Sequence, residues 1–506
     1  MGTRARAAAA LATLAVTVAG CGSSHSPSSL NPARLVPGNA IAYLELTVRP
    51  QGAQREGVES ALTKLLGHSP DADIQRAVDQ IFRGSGLRYD KDIKPWLGQR
   101  IGFMANAFSV GGIALIAPTT DPAAAVAAFA RGERHHGRSL APASYSGIHY
   151  QVANESGGPV ALGAVGQYAV IGGTGAFKQI VDTFHGRGQP LNPSGSGAFA
   201  RAYVNEPRAV AAVMALPTIT PAVRRELQTV IARSQLPTSV NLSLSVAAHA
   251  LTADVRSSGA PAAGATTSRA DVSTLPSDSW LAISTGNSFA RQLVTGFNAG
   301  FMQGLSRAAR VSGIDPSLLL QQFRRRTGID LTNDLLPALG PFQFAVEGGS
   351  LTTIQAALAL YPSNPLAGAR LIADIHRLVA RDRSLRVIGG SRSFRFGPTS
   401  LPFPIVGVAD VGRKIVAKFA LSNTHPPTDK LSANPTFMRA HTELPAGSTV
   451  PLFLDFGPLA SLLAETPQFK PGGSDHKALT VLRRLDYFVI GNSTATHDTR
   501  VVLGLR

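Results

Sequence analysis

Apolar residues in this chain follow two periods. Residues 40–48, Ala-Ile-Ala-Tyr-Leu-Glu-Leu-Thr-Val, are nearly continuous and short, which predicts a strand. In 74–82, Ile74, Ala77, Val78, Ile81 and Phe82 recur three and four apart and predict a helix with one apolar face. Residues 239–255 alternate instead, with Val240, Leu242, Leu244 and Val246 on one side of a half-exposed strand. Several strand stretches follow one another across short glycine turns without an intervening helix. That favours antiparallel pairing over a doubly wound parallel sheet. The expected class is α+β, a mainly antiparallel sheet with helices on one face.

The pattern also repeats. Asp92, Pro95, Leu97 and Gly98 in 92–98 recur as Asp334, Pro337, Leu339 and Gly340 in 334–340. Upstream lie Phe82-Arg83 and Phe323-Arg324, then Gly86 and Gly328. Downstream, 113–122 corresponds to 356–365, 165–171 to 411–417, and 198–202 to 436–440. Several matches in one order predict two tandem similar lobes, 35–257 and 273–506, joined by a Ser-, Ala- and Gly-rich linker at 258–272. The period is far too long for a solenoid.

The N-terminus follows other rules. Arg4 and Arg6 precede an apolar run, Ala7 to Val18, too short to span a bilayer and laid out like a secretion signal. The run Val18-Ala19-Gly20-Cys21 resembles the lipobox of bacterial lipoproteins. The resemblance implies cleavage after Gly20 and a diacylglycerol on the Cys21 sulfur. Cys21 is the only cysteine among 506 residues, so it forms no internal disulfide and supplies a single ligand of any metal site. Residues 1–20 are then the signal peptide and 21–34 a Ser- and Pro-rich flexible tether. The expected location is the extracytoplasmic face of the cell membrane, held by lipid.

Pro37, Tyr43, Leu44, Glu45 and Leu46 match an early strand motif, and Trp96, Leu97 and Gly98 a later turn, of an uncharacterised bacterial family. In these the chain resembles the family numbered thirty-three fifty-two among the domains of unknown function. Its members are mostly exported or anchored proteins of high-GC Gram-positive bacteria. The resemblance implies no activity.

Charge adds one element. Lys and Arg number 48 against 31 Asp and Glu, a net charge of +17. A basic chain at a membrane is drawn to anionic lipid or acidic wall polymer, although arginine-rich codon usage explains the excess equally well. Nucleic acid is not expected as a partner of an exported chain without arginine–aromatic interleaving, and the sequence names no protein partner.

Candidate chemistry is sparse. In 168–181 a strand, a glycine turn and a helix suggest a phosphate cradle, but Phe177 and Lys178 stand where a third glycine belongs. Gly172 and Gly173 align with Lys418 and Phe419, so a plain strand–helix turn is the better reading. Ser474 and Lys477 have the spacing of a serine–lysine nucleophile pair, without its companion motifs. Ser474 and Asp475 read better as helix caps, as Thr220 does before Pro221. His135 and His136 sit among Arg131, Arg134 and Arg138, which repel a cation. No catalytic residue, metal ligand or cofactor is therefore expected.

Residues 288–305 are the most unusual. Phe289, Leu293, Phe297, Phe301 and Leu305 form a stripe, and Gly296, Gly300 and Gly304 recur every fourth residue. Helical glycine costs about 1 kcal/mol against alanine, so three of them suggest close approach of a neighbour. Tight packing is one reason; a groove between the lobes lined by Phe297, Gly300, Phe301 and Gly304 is the other. The reading is a lipid-anchored envelope protein that binds or scaffolds, for an apolar or acidic envelope ligand. A hydrolase with a site invisible in sequence and a purely structural lipoprotein are the alternatives.

Overall fold

A computed structural model describes residues 30–69, 86–155, 158–195, 197–216, 218–233, 237–259, 271–286, 316–421, 429–493 and 498–506. Apart from the last two residues, contacts divide the chain into two compact units, Met1–Pro261 and Ala262–Gly504. The strand pairs β1–β2, β1–β8, β13–β17 and β3–β7, whose residue ranges follow, are all antiparallel, and the protein is a mixed helix-and-strand chain built on extensive antiparallel sheet.

In the first unit the strands are β1 (Ala42–Thr47), β2 (Arg100–Ala105), β3 (Ile113–Pro118), β4 (Leu140–Tyr145), β5 (Ile148–Glu155), β6 (Gly158–Val165), β7 (Tyr168–Gly173), β8 (Ala200–Val204), β9 (Ser239–Val246) and β10 (Ala250–Ser258). They pair in the order β4-β5-β6-β7-β3-β2-β1-β8-β9-β10. Short turns at 146–147 and 166–167 make the meander β4 to β7. β3 inserts beside β7 because the helix Pro122–His135 carries the chain across the sheet. That helix begins where Asp121 accepts the Ala124 amide at 2.9 Å and Pro122 takes the first helical position.

Helices cover both faces of this sheet, not one. Val58 of helix Gly52–Leu66 and Ala125 and Ala128 of helix Pro122–His135 pack with Leu46, Trp96, Ile101 and Ala117. On the opposite face Phe177, Ile180 and Val181 of helix Thr174–Phe184 pack with Tyr43, Met104, Ile116 and Val170. Ile116 and Ala117 are consecutive, so their side chains point to opposite faces, and both are buried. The unbroken apolar runs were the sign of a doubly covered sheet.

The tether also ends earlier than its composition suggests. Pro32–Leu35 is a short 3-10 helix, opened by Asn31 accepting the Ala33 amide, and it buries Ala33, Leu35 and Val36 in the second core.

In the second unit the strands are β11 (Ser279–Ser284), β12 (Phe342–Glu347), β13 (Gln355–Leu360), β14 (Leu385–Gly390), β15 (Ser393–Pro398), β16 (Val406–Val411), β17 (Lys414–Ala420), β18 (Ser448–Asp455), β19 (Leu485–Ser493) and β20 (Asp498–Leu505). Their order is β14-β15-β16-β17-β13-β12-β11-β18-β19-β20. Helix Pro365–Ala380, capped by Asn364, lays Ile372 on Phe394, Val408 and Ile415. Helix Pro435–Thr442 sets Phe437 edge-on to Phe453, ring centroids 5.2 Å apart.

Of the repeated segments, 113–122 and 356–365 each form a strand, a turn and a capped helix start. Residues 165–171 and 411–417 each form a turn into a strand. The pair 198–202 and 436–440 does not hold. The first leads into β8 and the second lies inside helix Pro435–Thr442. A phenylalanine followed two residues on by an arginine and then an alanine satisfies either period.

Candidate functional site

β1 presents Tyr43, Glu45 and Thr47 to one face of the first sheet. Its neighbours in register place Arg201 of β8 and Gly102 of β2 opposite Glu45, and Arg100 opposite Thr47. Gly102 leaves the space that Pro32 and the Tyr43 ring occupy; an added Cβ would stand 2.8 Å from Pro32. The Glu45 carboxylate is 1% exposed and Arg201 6%. Glu45 accepts from Arg100 Nη1 at 2.5 Å, Arg201 Nη2 at 2.6 Å and the Tyr43 hydroxyl at 2.7 Å. Burial first, then the Glu45 charge, holds the Tyr43 phenol well above its ordinary pKa, so it remains a donor.

The same guanidiniums tie down two chain segments. Arg201 Nη2 donates to Asn31 Oδ1 at 3.2 Å, while Arg100 Nη2 donates to the Ala198 carbonyl at 3.2 Å and Arg201 Nη1 to that of Pro193 at 3.4 Å. The strap that carries Pro193 and Ala198 is therefore fastened to the cluster, and Ser243 is buried against Gly195. The predicted sidedness of β9 is modified accordingly, because Leu242 is exposed while Ser243 is covered. Thr47 Oγ1 and Arg201 Nε have no hydrogen-bond partner among the described residues. Two guanidiniums facing one carboxylate leave one excess positive charge. With three charge-assisted donors on it and no water access, the carboxylate is a fixed counter-charge and offers no free base.

A second convergence lies in the second unit. Glu347, 5% exposed at the end of β12, pairs in register with Ser279 and Gln355. Burial, then the charge of Asp278, pushes its carboxyl up to about 7, against the opposing pull of Lys418. Burial raises Asp278 as well. Such a carboxyl exchanges its proton near neutrality, the range general acids and bases use.

The other candidates resolve differently. Gly172 and Gly173 pack against the backbone of Ile113, Ala114 and Gly111, where an added Cβ would come within 2.4 Å of Ile113 O and 2.3 Å of Gly111 Cα. In register, Gly172 pairs with Ala114 as Lys418 pairs with Ala357. Asp475 stands at the cap position of helix His476–Leu482, but its side chain makes no capping bond, which corrects the expected cap. Its φ and ψ, −109° and 12°, are not those of the extended backbone usual for a side-chain cap. Thr220 does reach the Val223 amide, at 3.4 Å. His135 and His136 stack edge-on at 6.0 Å, and among the described residues no three His, Cys, Asp or Glu come together as a metal would need. Gly20, Cys21, Phe297, Gly300, Phe301 and Gly304 lie outside the described residues. Arg100 and Arg201 escaped the sequence reading because they meet Glu45 across 55 and 156 residues.

A family described as "Protein of unknown function (DUF3352)" matches residues 5–368. No curated protein matches the chain by sequence. Among solved structures, crystal form III of TP0453 is similar at 14% identity over 46% of this chain and 82% of that one, with a TM-score of 0.24. Crystal form IV gives 15% identity, 45% and 81% coverage, and a TM-score of 0.23. Scores this low carry no structural argument.

Proposed function

We propose, from the premise that this chain belongs to the DUF3352 family of proteins of unknown function, that it is a lipid-anchored cell-envelope protein that binds or scaffolds. Anchoring rests on the order of Arg4, Arg6, the apolar run and Val18-Ala19-Gly20-Cys21. Two acyl chains, at about 0.8 kcal/mol per buried methylene, hold where one would not. The observation that favours binding over catalysis is the Glu45 cluster. This buried convergence of ionisable groups is spent on fastening the N-terminal segment and the strap.

The two units are copies of one lobe in this reading. β4-β5-β6-β7-β3-β2-β1-β8-β9-β10 and β14-β15-β16-β17-β13-β12-β11-β18-β19-β20 are one order written twice. Aligning Ile116 with Ala359 puts Gly102 on Gln343 and Glu45 on Ser284. The charged cluster therefore belongs to the first copy, and the same strand frame stands without it in the second.

The test is native mass spectrometry of the protein released from its own membrane. A diacylated N-terminal cysteine and an added co-purifying mass are expected; an N-terminus upstream of Cys21 refutes the anchor, and a bare mature mass refutes ligand carriage. A hydrolase is the second reading, favoured by the Glu347 carboxyl near 7 beside Asp278. It requires ester- or peptide-cleaving turnover that Glu347→Gln abolishes, and native protein inert on a panel of such substrates refutes it.

A further inference from the structure

The chain enters the first unit at one end of its sheet. The Tyr168 hydroxyl, at the start of β7, donates to the Asn31 carbonyl at 3.3 Å, and Leu30 packs on the same core that Tyr145 and Ile148 pack on. From Cys21 to Leu30 is nine residues, a reach of at most about 30 Å. The same end carries the turns 145–148 and 165–168 and the C-terminus of helix Thr174–Phe184.

The side chains gathered there share a character. Phe184 is 43% exposed and lies over the Gly166 turn, where an added Cβ would meet its ring at 3.0 Å. Lys178 Nζ stands 5.2 Å from the Tyr145 ring centroid. Arg187 Nη1 donates to Ser146 Oγ and to Asp182 Oδ1, each at 3.0 Å. Arg34 acts on Tyr168 and is exposed. Arg34, Lys178 and Arg187 outnumber Asp182, and an exposed phenylalanine sits among them.

We propose that this end of the first sheet, carrying Arg34, Lys178, Phe184 and Arg187, rests on an anionic lipid surface. The proposal builds on the anchor reading above. The tether delivers this end to the bilayer, basic side chains are attracted to anionic headgroups, and an exposed aromatic enters the interface. Phe108, 44% exposed, lies beyond the end of β2 at the far side of the sheet, six residues or about 20 Å away, and stays in water.

The experiment uses the full acylated protein in vesicles of phosphatidylcholine with about 30% phosphatidylglycerol, the phosphatidylcholine brominated on its acyl chains. Native Trp96 and Trp280 are buried and supply a constant background. Phe184→Trp is expected to add emission that bromine quenches about twofold, and Phe108→Trp emission that it leaves unchanged; His185→Trp, the exposed neighbour, gives an independent reading. Removing phosphatidylglycerol, or making Lys178→Gln with Arg187→Gln, should weaken the quenching, with about a fivefold loss of surface affinity per neutralised charge. Equal quenching at both ends, or quenching at Phe108→Trp alone, overturns the proposal. The N-terminal mass of the same preparation separates the two readings. Acyl mass present with Phe184→Trp unquenched refutes the surface and keeps the anchor; acyl mass absent with Phe184→Trp quenched refutes the anchor and keeps the surface.

Discussion

Glu45→Gln isolates the charge of the buried cluster while keeping its shape. The substitution removes the counter-charge of Arg201, which is 6% exposed and already has an Nε without a partner. It also weakens the bonds from Tyr43 and Arg100. Arg100 is partly exposed and can turn to water, so its share is small. Arg201 cannot, and stripping one partner from a buried pair costs about 3–5 kcal/mol. The double change Glu45→Leu with Arg201→Leu should recover most of this, because buried ion pairs commonly give way to apolar pairs without loss. The assay is urea unfolding at pH 7 in a Trp280→Phe background, so that Trp96, buried in the first unit, reports that unit. A loss below about 1 kcal/mol for Glu45→Gln, or a double variant worse than the sum of its parts, would refute the reasoning.

Glu347 gives a pH dependence. Its carboxyl moves from 4.5 to about 7 on folding, so between those values the folded chain holds a proton the unfolded chain has released. Stability from this group is complete below 4.5, falls as pH rises through the window and levels off above 7, by at most about 3 kcal/mol. Glu347→Gln should flatten that slope and exceed the native protein at pH 8 in denaturant titrations; an unchanged slope sinks the assignment. Gly172→Ala drives a methyl against Ile113 O, where its Cβ would stand at 2.4 Å, and should cost about 1–3 kcal/mol. A neutral melting temperature would show that β3 and β7 can separate there.

Much of the local structure was legible. The alternating and continuous apolar runs located β1 and β9, and Thr220 before Pro221 marked the start of helix Pro221–Arg233. These depend on residues within one turn of each other. Asp475 shows the limit, since it has the residue type of a cap and the wrong backbone angles.

Segment by segment, then, the chain's own order determined strand type and strand period, because neighbours in sequence set dihedral preference and face. Tertiary structure alone decided that both faces of the first sheet are covered, that Ala33 and Leu35 are core, and that Glu45 meets Arg100 and Arg201. Those outcomes hang on strand register across 55 to 156 residues. A charge pattern along the chain is silent about register, because pairing is chosen by the sum of all cross-strand contacts and by which side chains can leave water together.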